Sequence, residues 1–464
     1  MVSALAAKAR AEAAMRKQLG LHPLLLLAAL IGYHINVPLP LGQGGLPYFL
    51  AGPPVALLLL VNRKYTDSRI VRPLVALFLF NAASAAFVLF FTTSDSAPPL
   101  LGVVQFLYTV TLGYGIYLEV TRWPRAYLHQ WAGTLSVVFL ALATIEVLTP
   151  LKDLDEWFFN HVYTWGYGYT SDDAIVLRDA IEFGGYRPQL FASEPSLAGL
   201  TGATLQIVWW ATVDEWNNAR RLFGYVIALA SFIIVRSPLA ILPLAYGVSL
   251  WLFARPTART ANGRAFAMVR FGAFLVVASL LIFGLGYLLT VVLPERAHAL
   301  AAGNDESTAM RTYATAYAGW RVALAHPIFG AGIANFNYVQ STMASAFLDM
   351  GASTRLAFSE QMRKSINNGF GATLLFYGFL GSAVFVSLLT WLMKALMPRG
   401  AVSERFTFLV LVSVTTGTLY GPMFFWPLFL LAGARNAVSI VPVRRPARQP
   451  LSPTSAIAAA ARTS

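Results

Sequence analysis

PLVALFLFNAASAAFVLFF, residues 73–91, carries no charged side chain and is long enough for a helix to cross a bilayer. Similar apolar runs recur near 22–41, 46–61, 100–118, 130–149, 197–213, 222–235, 239–253, 271–292, 370–393, 406–420 and 423–441. The whole chain of 464 residues is 57% hydrophobic and only 12% charged. A segment in lipid has to satisfy its backbone polar groups internally, and these runs lack the strict alternation of barrel strands. The sequence therefore predicts an all-α polytopic membrane protein of about twelve transmembrane helices, folded as a single integral-membrane domain over 1–464.

The formal charge of +13 follows topology. With a cytoplasmic N-terminus, 24 of the 34 Lys and Arg residues fall on the cytoplasmic side and 10 on the other, as the positive-inside rule requires. The basic clusters RKYTDSR (63–69), RPTARTANGR (255–264) and VRRPAR (443–448) are then topogenic loops. They lack interleaved aromatics, so nucleic acid is not an expected partner. Residues 1–19 carry Lys8, Arg10, Arg16 and Lys17, but no small-residue cleavage site follows, and no removable signal peptide is expected. The absence of cysteine excludes disulfides, thiol catalysis and thiolate metal sites.

Most connections are short, but 150–196 and 293–369 are long. Both fall on the external side and are expected to contain short helices of their own. The first includes WFFNHVYTWGYGY (157–169); the second includes STAMRTYATAYAGWRVALAHPIFGAGIANF (307–336) and ends at RKSINNGFGATLLFYGFLG (363–381). The tail 443–464, rich in Pro, Ala and Ser, is expected to be disordered and cytoplasmic.

Three external arginines stand where bland explanations work poorly. Arg187 precedes a proline and the carboxylate of Glu194 at the start of a span; Arg236, in FIIVRSPLAIL, occupies a turn between two spans; Arg311 opens the helix-like stretch before HPIFGAG. Arginine binds phosphate bidentately and stays charged in any surroundings. Each could instead snorkel to headgroups or pair with a local acid. Glu194 could accept a proton from an attacking hydroxyl or simply pair with Arg187, which would lower its pKa and weaken it as a base. His298 and His326 are external too, and a histidine before a proline more often serves a turn or packing than proton transfer.

Tyr313, Tyr317 and Trp320 form one helical stripe, for which core packing is the favoured reading. On a straight helix Arg311 points about 160° away from Tyr313, while Arg321 lies about 80° from it and is a second candidate for anion contact. Gly330-Ala331-Gly332 follows no strand and reads as a turn after a helix.

Together these segments resemble the O-antigen polymerase and O-antigen ligase superfamily of polytopic membrane glycosyltransferases. YRPQLFASEPS (186–196) is similar to that family's arginine followed by a Glu-Pro-Ser-like triplet, and Val235-Arg236-Ser237 to its short serine-arginine-glycine turn. Arg311 followed by HPIFGAG resembles its arginine before a His-Pro-hydrophobic-hydrophobic-Gly-x-Gly motif, and Asn368 before GFLG its asparagine before a Gly-hydrophobic-hydrophobic-Gly span. The order and spacing agree across 187–381.

The resemblance implies transfer of a polyprenyl-diphosphate-linked oligosaccharide to a hydroxyl acceptor at the external face of a bacterial inner membrane, with the active site facing the periplasm. It implies no cofactor and no metal, arginines that stabilise the departing diphosphate, and membrane lipids, a chain-length regulator and a flippase as partners. Catalytic roles fall to Arg187, Glu194 and Arg311; substrate-binding roles fall to Arg236, Arg321, His326, Asn367 and Asn368. Ligases of this type carry a histidine where this chain has Asn367, and asparagine cannot act as a base at neutral pH. That departure favours a polymerase over a ligase acting on lipid A core or protein. Val235, where serine is common, is a second departure and loosens the role carried over to Arg236. A lipid-linked glycan flippase is the rival from another class, although transporters normally place their polar groups inside the spans.

Overall fold

Helices occupy ten of the twelve apolar runs; the other two, 271–292 and 406–420, lie outside the described residues. The structure is a computed structural model that describes residues 20–41, 44–91, 97–163, 186–192, 195–213, 218–237, 239, 242–253, 314–333, 335–350, 369–397 and 422–438. Thirteen α-helices and one two-stranded hairpin lie among them. In chain order the helices are α1 (His22–Ile35), α2 (Gly52–Asn62), α3 (Ser68–Phe91), α4 (Ala97–Val120), α5 (Arg125–Leu148), α6 (Leu151–Phe158) and α7 (Pro195–Ala211). They continue with α8 (Asn218–Val235), α9 (Leu242–Phe253), α10 (Thr315–Ala325), α11 (Gln340–Asp349), α12 (Gly369–Leu396) and α13 (Pro422–Asn436). α3, α4, α5 and α12 are long and apolar enough to cross a membrane, and the chain is a multi-pass membrane protein. The tail 443–464 lies outside the described residues.

Two expected spans are shortened by proline. The run 22–41 is helical only to Ile35, where Asn36 turns left-handed with φ 53° and donates its N–H to the Gly32 carbonyl. Pro38 and Pro40 follow, and the chain forms the antiparallel pair β1 (Leu39–Leu41) and β2 (Gly44–Leu46) instead. The run 46–61 becomes helical only from Gly52, with Pro53 and Pro54 in the first turn, where a missing N–H costs least. At about 1.5 Å per residue, α1 is roughly 21 Å long, short of a 30 Å hydrocarbon core.

α7 is the centre of the assembly: every one of its residues from Pro195 to Ala211 is buried. Its small side chains admit close neighbours. A Cβ on Gly202 would strike the Phe139 ring, and one on Gly199 would strike Ser237. At its C-terminus, Arg125 and Arg435 both donate to the Ala211 carbonyl, at 2.8 and 3.2 Å, placing positive charge at the negative end of the helix dipole. By contrast, α3 exposes Val75, Leu79, Phe90 and Phe91, and α8 exposes Leu222, Phe223, Val226, Leu229 and Ile233. Such apolar faces suit contact with lipid.

α12 is broken at Gly378, whose φ 62° and ψ −163° are not helical. The turn after α10 fills the break. Ala331 N–H and Gly332 N–H donate to the carbonyls of Leu375 and Phe376, and Leu380 N–H and Gly381 N–H donate to those of Pro327 and Ile328. Backbone groups released by the break are thus satisfied within protein, as helical proteins in lipid require. Phe329 at the tip packs between Phe80 and Phe87 of α3, and the Tyr377 hydroxyl donates to Asn81 Oδ1 at 2.6 Å.

Candidate functional site

Residues 186–192 form a short irregular strap bound to the α5–α6 corner by two buried carboxylates. Glu146, near the end of α5, accepts the Gln189 and Leu190 N–H groups at 2.9 Å each and the Tyr186 hydroxyl at 2.5 Å. Asp155 on α6 accepts the Phe191 N–H at 2.5 Å, and its other oxygen is 3.1 Å from the Tyr186 hydroxyl. Burial pushes the Asp155 carboxyl up to about 7, and the neighbouring Glu146 charge pushes the same way. Burial also raises Tyr186 above its ordinary value, with the Asp155 charge adding to it, so the phenol stays protonated. Arg187 lies inside this strap and is only 6% exposed, far from the surface snorkelling usual for a lone loop arginine.

The strap is fastened on its other side by α1. His34 Nε2 is 2.8 Å from the Leu190 carbonyl and Nδ1 is 3.1 Å from the Thr201 hydroxyl of α7. A carbonyl only accepts, so Nε2 carries a proton and, in the neutral ring, Nδ1 accepts from Thr201. Leu190 then packs in a small apolar cluster with Phe139 and Ala143 of α5, Ala198 of α7 and Val235 of α8. Val235 immediately precedes Arg236, and Ser237 rests on Gly199 of α7. The strap bearing Arg187, the N-terminal turns of α7 and the turn bearing Arg236 therefore meet at one end of the bundle, opposite the Arg125 and Arg435 caps.

That end also carries the strained backbone. Five non-glycine residues have positive φ among the described residues: Asn36, Tyr48, Leu190, Phe191 and Arg236. Asn36 and Tyr48 belong to the α1–α2 connection, which leaves α1 just after His34. Leu190 and Phe191 are consecutive, and Arg236 has φ 50° with its N–H donated to the Phe232 carbonyl at 3.0 Å. A glycine would hold this helix-terminating position without strain. Retaining a large cation there costs about 1 kcal/mol.

The second long segment gives a different picture. Tyr317 packs against the core, but Trp320 is 48% exposed and meets the Phe379 ring edge-on, so the expected stripe is only half interior. Arg321 Nη1 donates to the Tyr317 hydroxyl at 2.9 Å and to Asp349 Oδ2 at 2.5 Å. It is held as half of an ion pair. His326 ends α10; its ring packs on Tyr338, burial lowers its pKa, and its carbonyl accepts the Gly330 N–H. Gly330, at φ 55°, and Gly332, at φ 76°, form the turn that follows. Tyr313, Glu194, His298, Arg311, Asn367 and Asn368 lie outside the described residues.

Glu146 and Asp155 are the residues that sequence reasoning passed over. An acid inside an apolar run is itself a signal, and Glu146 in LATIEVL carried it. Among the described residues, no group of three or more His, Asp or Glu side chains could hold a metal ion. No protein-family model, curated protein or solved structure matches the chain.

Proposed function

We propose that the protein is a polysaccharide polymerase of the bacterial inner membrane. In this reading about twelve helices cross the bilayer, and the end bearing Arg187 and Arg236 faces the periplasm. A hydroxyl of one lipid-linked repeat unit attacks the anomeric carbon of a glycan carried on a second polyprenyl diphosphate. The bond from that carbon to the phosphate oxygen breaks, the acceptor loses its proton, and the polyprenyl diphosphate departs as an anion.

The observation that carries the reading is the gathering of Arg187, Arg236 and the α7 N-terminus at one end of the bundle. Two guanidiniums and the partial positive charge of a helix N-terminus suit a diphosphate whose charge grows during transfer. Strain concentrated there, in Leu190, Phe191 and Arg236, fits a preorganised site. The exposed apolar faces of α3 and α8 give the polyprenyl tail a lipid route. Arg311 and Glu194 keep their sequence-based candidacies as a further diphosphate contact and as base or Arg187 partner.

Purified protein incubated with a lipid-diphosphate-linked repeat unit tests this. A product ladder is expected from the native chain, and Arg187→Ala should abolish it at matched expression. Arg187→Lys should rescue poorly, because lysine lacks the bidentate fork. Transfer only to lipid A core or protein would mark a ligase instead, and substrate crossing the bilayer without bond formation a flippase.

A further inference from the structure

The Tyr186 hydroxyl has one proton and two carboxylate oxygens within reach, and the other contacts decide where that proton goes. Glu146 receives backbone N–H groups on both oxygens, and the Tyr186 hydroxyl is only 2.5 Å from Oε1. With Glu146 ionised, all three contacts are satisfied as acceptors, and the short 2.5 Å contact takes the phenol proton. Asp155 Oδ1 accepts from Phe191, while Oδ2 sits 3.1 Å from a hydroxyl oxygen whose proton is already committed. An ionised Oδ2 would face that oxygen lone pair to lone pair; a protonated Oδ2 would donate to it.

We infer that Asp155, Tyr186 and Glu146 form a one-proton relay, Asp155 carboxylic acid to phenol to Glu146 carboxylate, that latches the strap 186–192 and so positions Arg187. These are positioning residues, acting through the arginine. The consequence for activity rests on the polymerase reading of Arg187, but the latch itself does not. Asp155 is also faced by Glu156 on its own helix, while His34 grips the strap from α1; Glu156, like Glu146, favours the protonated acid.

The sign of the pH effect follows from the carboxyl. Asp155 is raised from about 3.8 to about 7 in the latched state, so its contribution to the latch is full only well below 7, within the range where Glu146 is still ionised. It weakens as pH rises towards 7 and levels off above that value. Asparagine mimics the protonated acid, because its oxygen can accept from Phe191 while its amide donates to Tyr186. Asp155→Asn should therefore keep the latch, whereas Glu146→Gln should not, since Glu146 is used only as an acceptor.

Hydrogen–deuterium exchange over the peptide 186–192 in reconstituted protein, corrected for intrinsic rates, tests the proposal from pH 4.5 to 8. Native protection should fall about ten-fold or more between pH 5 and 7 and then flatten. Asp155→Asn should be protected at every pH with that dependence gone, and Glu146→Gln and Tyr186→Phe should lose protection throughout. Native protection that ignores pH, or Asp155→Asn as unprotected as Glu146→Gln, would overturn the relay. Exchange needs no glycan, so its failure is distinguishable from failure of the polymerase reading.

Discussion

Gly378→Ala probes the broken helix that seats the HPIFGAG turn. Gly378 combines φ 62° with ψ −163°, a region open essentially to glycine, so a side chain there costs about 1–3 kcal/mol from the backbone alone. A Cβ would also stand 2.4 Å from the His326 carbonyl oxygen and 2.7 Å from that of Pro327. Relieving the overlap moves the turn away and stretches the Leu380 to Pro327 and Gly381 to Ile328 bonds, now 3.0 and 2.9 Å. Each of the two bonds lost costs roughly 1–3 kcal/mol, giving a total of about 3–9 kcal/mol. Gly20→Ala is the matched control: φ is 49°, but nothing lies within 4 Å of the added carbon, so only about 1 kcal/mol is expected. Denaturant unfolding of both variants in mixed micelles separates the two contributions. A Gly378→Ala loss no larger than that of Gly20→Ala would refute the account of how the break is closed.

Arg236→Gly should relieve about 1 kcal/mol of backbone strain, since glycine accepts φ 50° freely, so the fold should survive while ladder formation falls at least about ten-fold; melting temperature and product length read the two effects separately. Arg321→Ala should barely change stability, because its pair with Asp349 is solvent-exposed, and should leave the ladder within about two-fold of native. Chelator should leave polymerisation unchanged, and activity lost in chelator but restored by magnesium would assign the diphosphate to a metal.

The membrane class was legible because it depends on composition and run length, which averaging over a window makes robust. Element ends were less so. In NVPLPLG the two prolines mark a helix stop, but a hydropathy window counts Val37, Leu39 and Leu41 as span and hides it. The break at Gly378 is harder still. Glycine is frequent in membrane helices, so GFLG announces no interruption; only the partner turn, about fifty residues earlier, makes the broken conformation affordable. The Gly330-Ala331-Gly332 turn, whose signal is local, was readable.

The same distinction governs the site. Arg187 and Arg236 could be singled out because a cation in an otherwise apolar chain is conspicuous wherever it falls. Their approach could not, since it runs through Leu190, Ala198 and Val235, ordinary apolar residues with no periodicity in common. Glu146 was obscured for the opposite reason: it lies 40 residues before Tyr186, and nothing in either neighbourhood specifies the other. α7 links these observations. Its C-terminus is occupied by Arg125 and Arg435, which neutralise the negative end of its dipole. At its N-terminus, which carries partial positive charge, the segments bearing Arg187 and Arg236 pack together, and the Glu146 and Asp155 carboxylates hold the Arg187 strap in place. The strained backbone at Leu190, Phe191 and Arg236 adds conformational cost at the same end. A fold selected for stability alone would relax that strain, so its persistence at this end of the bundle agrees with the place the proposed polymerase reading gives the diphosphate.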